Sequence, residues 1–128
     1  MRLLLDTHAF IWAAEAPHRL PAGVRRAIED RRNYITLSVV SVWEAGTKAK
    51  LGRLTLARPI DALVADAVSE LDMEVLPVAL RHALRLISLD PLHGDPFDRM
   101  LVAQAIEERM TLVTRDPALH AYPVDHLW

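Results

Sequence analysis

Four short runs read as β-strands: Arg2–Leu5, Tyr34–Leu37, Met73–Leu76 and Thr111–Val113. Each is separated from the next by enough chain to hold at least one helix. Strands joined this way are expected to lie parallel, because a parallel pair needs a long crossover where a hairpin needs only a tight turn. The spacing therefore predicts an α/β fold, a three-layer α/β/α sandwich with a central, mainly parallel sheet. At 128 residues, of which 52% are hydrophobic, the chain has the size and apolar content of one domain spanning 1–128, with a real core and no tendency to disorder.

The crossovers carry helix punctuation. Ala9–Ala16 reads as a short helix stopped by Pro17, and Pro21 opens another through about Arg31. Ser38 is placed to cap a helix running to about Lys50, with Gly52 near its end. Pro59 opens a helix with Ile60, Leu63, Val64, Ala67 and Leu71 at helical spacing, and Ala79–Leu89 reads as a further helix. Asp90–Phe97, with two prolines and a glycine, reads as a loop before an amphipathic helix, Arg99–Met110, headed by Asp98. The tail is expected to add an edge strand around Tyr122–Val124.

Several classes of function are excluded or disfavoured at this point. No apolar run approaches the ~20 residues that cross a bilayer, so no membrane association is expected. With no signal-like N-terminus and no cysteine, the expected location is cytoplasmic, and neither disulfides nor thiolate metal sites arise. A net charge of −2 argues against gripping nucleic acid by blanket electrostatics. Basic stretches at Arg25, Arg26, Arg31 and Arg32, and at Lys48, Lys50 and Arg53, read first as solvated helix faces.

In parallel sheets ligands bind beyond the carboxyl ends of the strands, and acids stand there. Asp6 follows the first strand and Asp116 lies just past the fourth; Asp95 and Asp98 lie where a loop enters a helix. Glu44 sits in the helix after the second strand among mostly apolar neighbours. Each has a plain structural alternative: Asp6 and Asp98 as helix caps, Glu44 paired with Lys48 four residues on, and Asp116 in a turn before Pro117. Their convergence on one sheet edge favours a joint role. Carboxylates held together repel unless a cation lies among them, and oxygen donors without cysteine suit Mg²⁺ or Mn²⁺, ions apt for phosphoryl chemistry. His8 and His93 stand close enough to enter the cleft, whereas His18, His82, His120 and His126 read as peripheral. Asp6 is followed by Thr7 and His8 rather than by a second acid two residues on, which weakens an aspartyl-phosphate mechanism on small phosphate esters.

The segments LLLDTHAFIWA, SVVSVWEAG, HGDPFDRMLVAQA and TLVTRD, in this order and at fitting separations, make the chain resemble the PIN-domain ribonucleases, specifically the VapC-like toxins of bacterial toxin–antitoxin pairs. The resemblance extends over essentially the whole chain. It implies a Mg²⁺- or Mn²⁺-dependent endoribonuclease acting on RNA, usually a homodimer, and silenced by a cognate antitoxin protein. Carried over by position, it makes Asp6, Glu44, Asp98 and Asp116 the catalytic acids. Asp6, Asp98 and Asp116 would hold the metal, with Asp95 as a secondary ligand, and Glu44 would position or deprotonate the attacking water. Thr114 and Ser41 are candidate hydrogen-bonding neighbours. Arg99 is a candidate for contact with substrate phosphate, or for a salt bridge within the acidic cluster. A groove beside the Pro21–Arg31 and Val39–Lys50 helices is the expected antitoxin surface.

Overall fold

The computed structural model describes residues 1–128. Five strands form one sheet: β1 (Arg2–Leu5), β2 (Tyr34–Ser38), β3 (Glu74–Leu76), β4 (Thr111–Val113) and β5 (His126–Leu127). Their order across the sheet is β3-β2-β1-β4-β5, and every neighbouring pair is parallel. The helices are α1 (Thr7–Glu15), α2 (Ala22–Glu29), α3 (Val39–Lys50), α4 (Ile60–Glu70), α5 (Leu80–Ser88) and α6 (Pro96–Glu108).

Alternation along the central strand builds the three layers. Successive side chains of a strand point to opposite faces, so Leu3 and Leu5 join one core with Ile35, Leu37, Val113 and residues of α1, α2 and α4. Leu4 enters the other core, with Leu112, Val40 and the α6 residues Leu101, Val102 and Ala105. All three β1 leucines are wholly buried.

Two boundaries differ from the sequence expectation. The last helix begins at Pro96 rather than Arg99, because Asp95 caps it by accepting from the Phe97 and Asp98 amides at 2.8 and 3.1 Å. Proline at the first helical position lacks an N–H that would have had no partner there. The edge strand forms at His126–Leu127 instead of Tyr122–Val124. Tyr122 is drawn into the second core, and its hydroxyl accepts from the His93 amide at 3.0 Å.

α5 is turned against the usual sense. Its Leu80, Leu84 and Ile87, at i, i+4 and i+7, are exposed, Ile87 by 79%, while its polar residues face α6. His82, expected to be peripheral, is fully buried. It lies outside the acidic cluster, with Nδ1 accepting from the Ala79 amide and Nε2 2.8 Å from Glu108. Arg85 pairs with Glu107, and Arg81 with Glu108. No helix is long and apolar enough to cross a membrane.

Candidate active site

Beyond the carboxyl ends of β1, β2 and β4 lies an open cavity of about 490 Å³ with no hydrophobic residue in its lining. Asp6, Glu44, Asp95, Asp98 and Asp116 all line it, together with His8, Lys48, His93 and Arg115. Four remote segments thus deliver five carboxylates to one place.

Each acid is held by its local backbone. Asp6 ends β1 and caps α1, accepting from the Ala9 amide at 2.8 Å; it is both the predicted cap and a cavity wall. Burial pushes its carboxyl above the usual value against the lowering effect of the Thr114 hydroxyl. Thr114 also accepts from the Asp116 amide at 3.1 Å, and Asp116 Oδ1 accepts from the Ala118 amide at 2.9 Å. Thr114 thus stands beside both the first acid and the last.

Glu44 is only 3% exposed. Its two oxygens accept from the Thr7 hydroxyl and the Lys48 ammonium, so the expected pair with Lys48 forms on the cavity wall itself. The Lys48 ammonium is held above its ordinary pKa by the hydrogen bond to Glu44. Ser41 stands one step back, buried, with its hydroxyl 3.3 Å from Thr7 Oγ1.

Asp98 is pushed up to about 6, chiefly by burial and further by the charges of Asp95 and Glu44, while His93 opposes the rise. His93 Nε2 lies 3.0 Å from Asp98 Oδ2 and 3.6 Å from Asp116 Oδ2. Ligand atoms of His93, Asp98 and Asp116 all fall within 4.8 Å of one another, a separation one cation can bridge. The donor set of carboxylate oxygens with one imidazole nitrogen fits a hard or borderline divalent ion.

Arg99 corrects an expectation. One residue on from Asp98, the helix has rotated its side chain out of the cavity. Its guanidinium lies against the Leu86 and Leu89 carbonyls at 3.5 and 3.3 Å, where the C-terminal end of α5 leaves carbonyls without helical partners. It therefore makes no salt bridge within the acidic cluster and takes no part in the cavity lining. The helices packed most closely on α3 are α1, α4 and α6. The groove it does line runs along the α3–α4 connection, past Gly46, Leu54, Leu56 and Ile60.

Thr7 and Arg115 went unread in the sequence. Each adjoins a candidate acid, Asp6 and Asp116 respectively, and that adjacency was the available signal.

The PIN domain profile matches residues 3–124 of this chain. Ribonuclease VapC22 of Mycobacterium tuberculosis is 31% identical over 121 residues, covering 94% of this chain and 91% of that protein. Among solved structures, VapBC2 of Rickettsia felis bound to a promoter DNA fragment aligns over 100% of this chain and 99% of its own, with TM-score 0.74 and 18% identity. FitAcB of Neisseria gonorrhoeae aligns over 98% and 96%, with TM-score 0.65 and 20% identity. At those identities the structural matches speak for the fold alone.

Proposed function

Because the chain belongs to the PIN domain family, we propose that it is a metal-dependent endoribonuclease, the toxin of a toxin–antitoxin pair, which hydrolyses RNA phosphodiester bonds. The observation that carries this reading is the cavity into which β1, α3, α6 and the segment after β4 bring five carboxylates. Acids serving only as caps and turns have no reason to converge.

Asp6, Glu44, Asp98 and Asp116 are the catalytic acids of this proposal. Asp98 and Asp116 would hold the ion with Asp6, and His93 is placed to join them. Asp95 spends one oxygen on the head of α6, which leaves it the secondary place and supports Asp98 as the third principal acid. A divalent ion supplies a Lewis acid that polarises phosphate and lowers the pKa of bound water. Glu44, fixed by Thr7 and Lys48, takes the proton of the attacking water. Thr114 keeps Asp6 and Asp116 in register, and Ser41 backs the Thr7 hydroxyl.

The partners follow from two surfaces. The outward apolar stripe of α5, Leu80, Leu84 and Ile87, is the face on which a second copy docks to form a homodimer. A cognate antitoxin lays an apolar segment along the α3–α4 connection and places an Arg among the carboxylates, where it competes with the ion for the same oxygens. The complex belongs to the cytoplasm.

The test is RNA cleavage by the purified chain with Mn²⁺, with Mg²⁺ and with chelator, beside Asp6→Asn. Cleavage that needs the ion and Asp6, together with growth arrest on expression of the unmodified chain alone, is the expected result. A harmless chain that leaves RNA intact in Mn²⁺ would overturn the reading. Leu84→Glu with Ile87→Glu should convert a dimer to a monomer in sedimentation; a chain already monomeric at micromolar concentration would remove the homodimer.

A further inference from the structure

A cavity walled by five carboxylates is a poor place to bring a polyanion unless cations beside it hold the neighbouring phosphates. Of the cations near it, Lys48 lines the cavity but is engaged by Glu44, and Arg99 lies outside it, against the end of α5. Arg115 is the remaining permanent cation in the lining. Its guanidinium lies 4.9 Å from the centre of the Trp12 ring, and Arg19 lies 4.7 Å from the same ring.

Both arginines are exposed, and none of the protein's ion pairs uses either. Guanidinia parked on an indole keep all their N–H donors free, because the attraction acts through the ring face. Trp12 is itself fixed, half-buried against the first core with its ring 5.8 Å from Trp128. Arg19 ends a single 3-10 turn opened by Pro17, so its backbone is also set.

We propose that Arg115 and Arg19, held in place by Trp12, form a cationic ledge leading out of the acidic cavity. The ledge binds successive phosphates of a single RNA strand next to the scissile one. Arg115, which reaches both cavity and ledge, takes the phosphate nearest the reacting bond; Arg19 takes one further out. Trp12 is a positioning residue, whose work is to hold both guanidinia against one indole ring. This inference rests on the nuclease reading and adds to it the path of the strand.

The test uses the full chain carrying Asp6→Asn, so that bound RNA stays intact. The probe is a fluorescein-labelled single-stranded RNA of about twelve nucleotides, a length such surfaces cover. Anisotropy titrations at several salt concentrations give Kd and its salt dependence. Arg115→Gln and Arg19→Gln should each weaken binding about fivefold. Together they should lower the slope of log K against log salt by about 1.4, two phosphate contacts at about 0.7 each. Arg115→Lys, which keeps the charge, should retain most of the slope, and Arg53→Gln on the α3–α4 connection should change nothing. In the chain with Asp6 intact and Mn²⁺ present, the double Gln variant should raise KM.

An unchanged slope in the double variant, where the Asp6→Asn parent binds RNA and the unmodified chain cleaves it, would overturn the ledge while leaving the nuclease intact. An equal loss from Arg53→Gln would also overturn it, in favour of diffuse charge. Unchanged RNA binding with weakened capture of an acidic antitoxin segment would reassign the ledge to a protein partner. A parent that neither binds nor cleaves RNA in Mn²⁺ would remove both readings together.

Discussion

Replacing Asp98 by Asn should stabilise the metal-free protein while destroying its activity. The carboxyl is raised from 3.8 to about 6, chiefly by burial. If fully transmitted, that corresponds to about 3 kcal/mol against the charged form. The side chain keeps 20% of its surface open, and solvent screening reduces the figure to about 1–2 kcal/mol. The sign follows from linkage. A folded-state pKa above the unfolded one makes the carboxyl a liability once it ionises. The penalty is absent below pH 3.8, grows between there and about 6, and is complete above. At pH 7.5 in chelator, Asp98→Asn should therefore melt about 4–8 °C higher than the parent, and the gap should close as the buffer approaches pH 4. Added Mn²⁺ should reverse the order, because an ion bound only by the folded parent stabilises it by mass action. Scanning calorimetry at three pH values, with and without metal, reads all of this. An Asn variant that melts lower than the parent in chelator at pH 7.5 would refute the reasoning and make the Asp98–His93 contact structural.

Asp6→Asn should reduce RNA cleavage at least about a hundredfold without lowering the melting temperature in chelator, since Asn caps a helix as well as Asp; cleavage kinetics and a thermal melt check the two halves. Lys48→Met leaves the buried Glu44 carboxylate with Thr7 as its remaining side-chain donor, and urea unfolding at pH 7.5 should show a loss of about 1–2 kcal/mol. Gln104 is fully buried and links Ser38 to the Pro77 carbonyl. Gln104→Leu should cost about 2–4 kcal/mol in the same assay by stranding both partners, with the Mn²⁺ dependence of any remaining cleavage unaltered.

The strands and the convergence of the acids were legible because both rest on local rules. The unbroken apolar run Leu3, Leu4 and Leu5 marks a strand buried on both faces, and acids at strand ends of a parallel sheet share one edge. The start of α6 was misread because Pro96 looks like a breaker until Asp95 is seen to cap the turn it opens. The tail strand was misplaced because aromatic Tyr122 resembles a strand residue, whereas its ring fills the second core. Arg99 was misassigned because adjacency in sequence to Asp98 says nothing about direction; one step along a helix turns a side chain away. α5 marks the limit most sharply. Its periodicity announces an apolar stripe, but only the ion pairs from Arg81 and Arg85 to Glu108 and Glu107 decide that the stripe faces outward.

The strand order bears on how such a chain is made. β1 precedes the other strands along the chain yet sits in the middle of the sheet, and its flank stays bare until β4 pairs with it. Asp116, the last acid, follows β4, and Thr114 beside it is the hydroxyl that steadies Asp6. A growing chain thus carries Asp6 and Glu44 long before it can oppose them with Asp116. The acidic cavity is therefore complete only once β4 has paired with β1 and brought Asp116 to its rim.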